Sequence, residues 1–293
     1  MDTKAPASQA SPTAILLMSC PDQAGIVAAI SRFIYENSGN IVHLEQHVDA
    51  EANAFFMRLE WQIDGFRIER DGIAEAFGPL AGRFGMAWSL SFSDVRPRVA
   101  LFVTKDNHCL YDLLSRHESG ELQMEVPLIV SNRTVLKPVA DRFGIPFHHF
   151  PIHRENKTEQ EAAEIALLRE HRVNAIVLAR YMQILSPQMV DAFPNRIINI
   201  HHSFLPAFPG ARPYHSAHQR GVKVIGATSH YVTEDLDEGP IIAQDVTRVS
   251  HRDAVRDFVR KGKDLETIVL ARAVWLHVNR RILPYENRTV VFE

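Results

Sequence analysis

Cysteine is scarce in this 293-residue chain, with Cys20 and Cys109 the only two. Two cysteines cannot form a disulfide framework, which excludes the small stapled secreted class and points to a reducing compartment. No apolar run approaches the ~20 residues that a membrane-spanning helix needs. Residues 1–12, MDTKAPASQASP, lack the apolar centre of a signal peptide and read as a disordered leader. A basic excess is also missing: 32 Lys and Arg against 35 Asp and Glu leave a net charge of −3. No global positive field therefore recruits nucleic acid or an anionic membrane. What is present, 46% hydrophobic and 23% charged residues, is the composition of an ordinary globular protein. The expectation is a soluble, cytoplasmic protein.

The hydrophobic pattern changes character once along the chain. AILLM at 14–18 reads as a strand, CPDQAGI breaks it, and Ile26, Ile30, Phe33 and Ile34 then mark one helical face. Two alternating strands follow. In the first, Val42, Leu44 and Val48 share a parity; in the second, Phe55, Met57, Leu59 and Trp61 alternate with Arg58, Glu60 and Gln62. A second helical face at Ile73, Phe77, Leu80 and Phe84 and the strand MAWSLSF complete a βαββαβ order, the ferredoxin-like unit, over 13–92. SDVRPR at 93–98 is polar and reads as a linker. From 99 to 293 the strand candidates VALFV, VPLIV, AIVL and IINI are short and wholly apolar. That is how strands buried on both faces look, and it predicts a doubly wound, mostly parallel α/β domain. A helix is expected over 158–171. A long amphipathic helix from 253 would carry Phe258, Leu265, Ile268, Val269 and Leu276 inward.

Ligands bind at the carboxyl ends of strands in such sheets, and INIHHSFLPAFPG at 198–210 places Asn199 and His201 at one of them. Two residues apart on an extended strand, they share a face. An asparagine amide can donate to an oxygen that gains charge during attack on a carbonyl. An imidazole, with an unperturbed pKa of about 6.5, suits proton transfer at neutral pH. Asp237, in the punctuated loop TEDLDEGP, supplies a carboxylate that could favour an imidazolium or help deprotonate a water. No nucleophile elbow is present, so an acyl-enzyme is not indicated. His201 could serve as acid, base or electrostatic stabiliser.

Residues 99–293 resemble the folate-dependent formyltransferase family, whose members share NIH, SFLPAFPG-like and LDEGP-like motifs. The resemblance implies that Asn199, His201 and Asp237 are catalytic. It also implies that Met182, Gln183, Ile184 and Leu185 of LARYMQILSP, with Thr233, Leu236 and Gly239, bind the folate. Family members that formylate a ribonucleotide amine carry a Gly-rich loop after the first strand to hold a phosphate. Here TKDNHCLYDLL at 104–114 contains no glycine, which removes the close backbone approach such a cradle needs. Those members also usually carry proline where this chain has His202. A tRNA-directed member would need a further RNA-binding domain, for which no room is expected after the final helix. The βαββαβ half with its CPDQAGI turn resembles an ACT domain, a ligand-sensing and dimerising module. That module fused ahead of NIHHSFLPAFPGARPYH resembles the family's hydrolytic branch. The branch implies cleavage of 10-formyltetrahydrofolate to formate and tetrahydrofolate, formate supply for purine synthesis and a balance of one-carbon folate pools.

Two other readings stand beside hydrolysis: formyl transfer to an unidentified amine, and a non-catalytic folate- and amino-acid-sensing regulator. His202, Arg212 and Tyr214 are candidates for the cleft entrance, as is His215. Asp22 and Gly25 are candidates for an amino-acid effector site, with helix capping and a tight turn as the structural alternative. The histidine groups 148, 149 and 153, and 201, 202, 215 and 218, lack tight zinc spacing, so no metal or other cofactor is expected. Lys261 and Lys263 read as a solvated helix face. The exposed edge of an ACT-like sheet predicts closure by a second copy, hence a homo-oligomer.

Overall fold

The computed structural model describes residues 11–207 and 213–293. The expected leader, apart from its last two residues, and Arg212 lie outside the described residues. The chain divides into two compact units, one ending at Val95 and taking in Phe292–Glu293, the other Arg96–Val291. The last two residues thus belong with the first unit, where the Glu293 backbone N–H donates to the Glu45 carboxylate at 3.1 Å.

The first unit runs β1 (Thr13–Pro21), α1 (Ile26–Glu36), β2 (Ile41–Asp49), β3 (Ala54–Gln62), α2 (Ile73–Phe84) and β4 (Ala87–Phe92). All pairings are antiparallel, in the order β2-β3-β1-β4. Gly25 opens α1 at φ +94°, a conformation that glycine adopts without steric cost. Ile26, Ile30 and Ile34 then repeat every four residues and bury together. They meet Met18, Met57, Leu59 and Trp61 from the sheet and Phe77 from α2 in one apolar core. The parity expected on β3 holds. On β2 it misleads, since Val42, Leu44 and Val48 are 37–47% exposed. β2 is an edge strand, paired on one side only, and these three side chains stay outside the apolar core that the helices cover.

The second unit contains β5 (Val99–Val103), α3 (His108–Glu118), β6 (Ile129–Ser131), α4 (Lys137–Arg142), β7 (Phe147–His149), α5 (Lys157–Glu170) and β8 (Ala175–Leu178). It continues with α6 (Pro187–Ala192), β9 (Ile197–His201), α7 (Pro213–Arg220), β10 (Val224–Tyr231), β11 (Ile241–Arg248), α8 (Val255–Val278) and the hairpin β12 (Ile282–Tyr285) and β13 (Arg288–Val291). Its sheet order is β11-β10-β9-β8-β5-β6-β7; the five strands from β9 to β7 are parallel, and β10 and β11 return antiparallel. The all-apolar runs have their explanation here. Val99, Leu101 and Val103 pack into one cluster with Leu270 and Val274 of α8, while Ala100 and Phe102 enter another with Ile165 and Leu168 of α5. Strand β6 is shorter than expected, because parallel pairing with β5 starts only at Leu101 opposite Ile129. On α8, Ile268 is 53% exposed, so the inward face excludes it. Strand order reverses between β5 and β8, and in sheets of this kind a crevice opens at that point.

Candidate active site

Strand β9 delivers Asn199 and His201 to its carboxyl end, and β10 lies antiparallel against it with His230 opposite Asn199 and Thr228 opposite His201. Asp237 arrives from the loop after β10 with φ +59°. A left-handed conformation at a non-glycine residue costs roughly 1–3 kcal/mol and tends to mark functional sites. Its carboxylate Oδ2 accepts from His201 Nδ1 at 3.1 Å, and Oδ1 lies 3.7 Å from His230 Nε2. The hydrogen bond from His201, with His230 behind it, holds the Asp237 carboxyl well below the usual carboxylate range. His230 Nδ1 lies 2.9 Å from the Tyr231 carbonyl oxygen, which can only accept. Nε2 of neutral His230 then accepts an amide hydrogen of Asn199 at 3.2 Å. The other amide hydrogen of Asn199 stays available, and His201 Nε2 has no partner among the described residues.

The turn after His201 is fixed from below. Thr228, fully buried, donates to the Ser203 carbonyl at 2.9 Å and accepts from Leu205 N–H at 3.0 Å and Gln244 Nε2 at 3.0 Å. Gly226 leaves room for Phe204, whose Cβ would be 2.5 Å from any added methyl.

Asn199, His201 and Asp237 line a cleft of about 470 Å³ whose walls are the 180–185 segment and the 232–237 loop. Met182, Gln183, Ile184, Leu185, Thr233 and Leu236 all lie in those walls. Met182, Ile184 and Leu236 are 49–62% exposed, an apolar surface of the kind that a flat ring system covers. Gly239 does not line the cleft. A Cβ there would sit 1.8 Å from the Tyr231 carbonyl oxygen, so its glycine is required by close backbone packing.

Behind the 180–185 wall stand two carboxylates with no access to solvent. Glu161 accepts from Ser186 N–H at 3.2 Å, and Glu164 accepts from Tyr181 Oη at 3.4 Å. Burial, then the charge of Glu161, pushes the Glu164 carboxyl up to about 8. Thr104 anchors the same wall by accepting from Met182 N–H at 3.1 Å.

Residues 97–274 match the formyl transferase family model, and residues 14–78 match that of the ACT domain. The chain belongs to the formyl transferase family. It is 60% identical to a formyltetrahydrofolate deformylase of Synechocystis sp. over 280 residues, 96% of this chain and 98% of that protein. Against the Bacillus subtilis formyltetrahydrofolate deformylase the identity is 48%, over 94% of this chain and 93% of the relative. A crystal structure of a formyltetrahydrofolate deformylase from Pseudomonas syringae superposes with a TM-score of 0.95 at 45% identity, covering 98% and 96% of the two chains. A glycinamide ribonucleotide transformylase from Symbiobacterium toebii matches 70% of this chain at 31% identity, with a TM-score of 0.65.

In this formyl transferase family member a second cavity, about 930 Å³, opens at the strand-order reversal and is lined by Lys105, Asp106, Arg133, Arg180, His202 and Lys263 among others. Tyr214 belongs to this cavity and not to the cleft. Its hydroxyl donates to Glu266 Oε1 at 2.6 Å, while His108 Nε2 lies 2.8 Å from Oε2 and Arg180 Nε lies 3.5 Å from it. Burial opposes ionisation of Glu266, but His108, Arg180 and Tyr214 together outweigh it and lower its pKa. Gly262 on α8 is the complement of Tyr214, since a Cβ there would meet the ring at 2.2 Å. Lys263 lines the cavity beside Asp106 at 3.5 Å, and Lys261 pairs with Asp253 at 3.0 Å. Neither is the merely solvated lysine that the sequence suggested.

His108, Cys109 and Glu266 are the only group of three potential metal ligands found within reach of one another among the described residues. Burial raises the Cys109 thiol well above its ordinary pKa, and the Arg180 guanidinium beside Glu266 repels a cation. The group fits a closed hydrogen-bond cluster better than a metal site.

At the start of α1 no side chain caps the helix. Asp22, for which capping was the structural alternative to an effector site, is exposed, with its backbone N–H donating to the Asn53 carbonyl at 2.9 Å. Gly25 has nothing within 4 Å of an added Cβ. His230, Glu161, Glu164 and Glu266 were missed in the sequence. Only His230 leaves a trace there: it ends the polar run Thr228–Ser229–His230 inside strand β10.

Proposed function

We propose that this chain hydrolyses 10-formyltetrahydrofolate to formate and tetrahydrofolate, with water as the formyl acceptor. The observation that carries the reading is the 3.1 Å hydrogen bond from His201 Nδ1 to Asp237, set beside Asn199. Near-full-length similarity to deformylases supports it. With Nδ1–H committed to Asp237, Nε2 of neutral His201 offers its lone pair to a water. The water oxygen bonds to the formyl carbon as Nε2 takes its proton, and the carbonyl oxygen becomes an oxyanion. The free amide hydrogen of Asn199 and the new imidazolium stabilise that charge, while ionised Asp237 stabilises the imidazolium. Collapse breaks the C–N10 bond, the imidazolium returns its proton to N10, and the formic acid loses its remaining proton to solvent. No step needs a resident metal or organic cofactor.

The cleft walls Met182–Leu185, Thr233 and Leu236 take the pterin in this reading. The first unit acts as an amino-acid-sensing and dimerising module in a cytoplasmic homo-oligomer. The exposed Val42, Leu44 and Val48 on edge strand β2 support pairing with another copy, which light scattering on the purified protein tests. One observation favours a second reading, formyl transfer to an anionic amine: the cavity with Lys105 and Arg133 beside the cleft. Incubating pure protein with 10-formyltetrahydrofolate alone decides between them. Formate released without any acceptor is expected; loss of the formyl group only when an amine is added would overturn hydrolysis.

A further inference from the structure

His202 stands where the cleft and the larger cavity meet, lining both. It is 9% exposed. Its ring lies edge-on to that of His201, with centroids 5.1 Å apart and planes at 88°. On its other side it meets the Tyr214 ring at 6.0 Å and 83°. Tyr214 is in turn held by Glu266 and by the absence of a side chain at Gly262. The imidazole is therefore clamped between two rings, yet its buried Nδ1 has no hydrogen-bond partner among the described residues. Leaving such an atom unpaired costs about 1–3 kcal/mol. Burial, the Arg180 guanidinium and His201 push the His202 pKa down to about 4, so it is neutral at physiological pH. A neutral imidazole with its proton on Nε2 is an acceptor at Nδ1.

We infer that His202 is a further catalytic residue of the hydrolysis, its Nδ1 accepting one hydrogen of the attacking water and aiming the water's lone pair at the formyl carbon. His201 Nε2 takes the other hydrogen as the reacting proton. His201 Nε2 and His202 Nδ1 are both buried without a partner among the described residues, on rings packed edge-on, and a water is the bridging group that buried unpaired polar atoms ordinarily take. Holding the nucleophile in a near-attack geometry lowers the barrier without changing how the folate is bound. The assignment rests on the hydrolytic reading above and names the residue that specialises the site for water.

The test compares wild type with His202→Ala, His202→Asn and His202→Leu, measuring kcat and KM for acceptor-free formate release, the Kd for tetrahydrofolate and the thermal midpoint. His202→Ala is expected to lower kcat about 10- to 100-fold, with KM and Kd within twofold of wild type. The Asn amide oxygen can accept near the Nδ1 position, so His202→Asn should recover at least about tenfold over His202→Leu. That Asn-against-Leu comparison carries the test if the Ala variant does not fold. A kcat within twofold of wild type in His202→Leu, equal activity of Asn and Leu, or a loss confined to Kd and the thermal midpoint would overturn the assignment while leaving hydrolysis standing. Absence of acceptor-free formate from wild type would instead sink the hydrolytic reading, and the role of His202 with it.

Discussion

The first unit buries almost nothing polar, whereas the second buries polar groups on its strands, on its helices and in the turns that follow its strands. Of the twelve buried polar or charged residues among those described, Arg58 is in the first unit and eleven are in the second. Burying such groups costs free energy unless each finds a partner. The second unit meets that cost with dense local networks: His201 and His230 around Asp237, Tyr214 and His108 around Glu266, and Ser186 and Tyr181 on the Glu161–Glu164 pair. The first unit relies on Leu16, Met18, Met57, Leu59 and Trp61 packed under two helices. The difference teaches where chemistry is carried. An apolar core specifies a module, while ionisable groups held out of water specify a reaction.

The comparison breaks most visibly at the cluster itself. Asn199→Ala, His201→Ala and Asp237→Ala should each lower acceptor-free formate release by at least about 100-fold, equivalent to ~2.7 kcal/mol, with the far-UV circular dichroism unchanged. Near-normal turnover in all three would remove the chemistry from this site. In the first unit the corresponding probe is apolar: Leu59→Ala, fully buried, should cost about 2–5 kcal/mol in denaturant unfolding. An unchanged unfolding curve would mean that this core does not limit stability. Gly262→Ala should cost about 1–3 kcal/mol by overpacking against the Tyr214 ring. A crystal structure of that variant with Tyr214 unmoved and a thermal midpoint equal to wild type would count against the fit described here.

The smallest effect concerns pH. Glu164 has its pKa raised to about 8 in the folded protein, above the ordinary carboxylate value of about 4.3. A raised folded pKa gives stability that is fully present below the unfolded value and lost as pH rises through the folded one. Glu164→Gln mimics the protonated carboxyl, so its stability relative to wild type should increase with pH, by less than about 1.4 kcal/mol between pH 7 and 8. Parallel thermal midpoints for the two proteins from pH 5 to 9 would show that Glu164 does not titrate in this range.

Much of this architecture is legible from short-range pattern. Strand period two puts Asn199 and His201 on one face, and wholly apolar runs such as VALFV announce strands buried on both sides. The alternation along β3 identifies its core face, and the order βαββαβ identifies the first unit's topology. These features depend on residues a few positions apart, which is where backbone geometry acts. Other features could not be read that way. The periodicity of α5 does not reveal that Glu161 and Glu164 face a loop that needs their oxygens. The parity of Val42, Leu44 and Val48 does not reveal that β2 lies at an edge, nor does the stripe on α8 exclude Ile268. The short stretch TEDLDEGP supplies a carboxylate, but only the antiparallel pairing of β10 with β9 brings Asp237 within 3.1 Å of His201 and sets His230 against Asn199 and Asp237. Sequence by itself determined which elements form and which residues carry reactive groups, because local sterics and solvent preference decide those. The tertiary structure alone decided which groups meet, which are sealed from water and which nitrogen is left without a partner, because those follow from how distant segments close on one another.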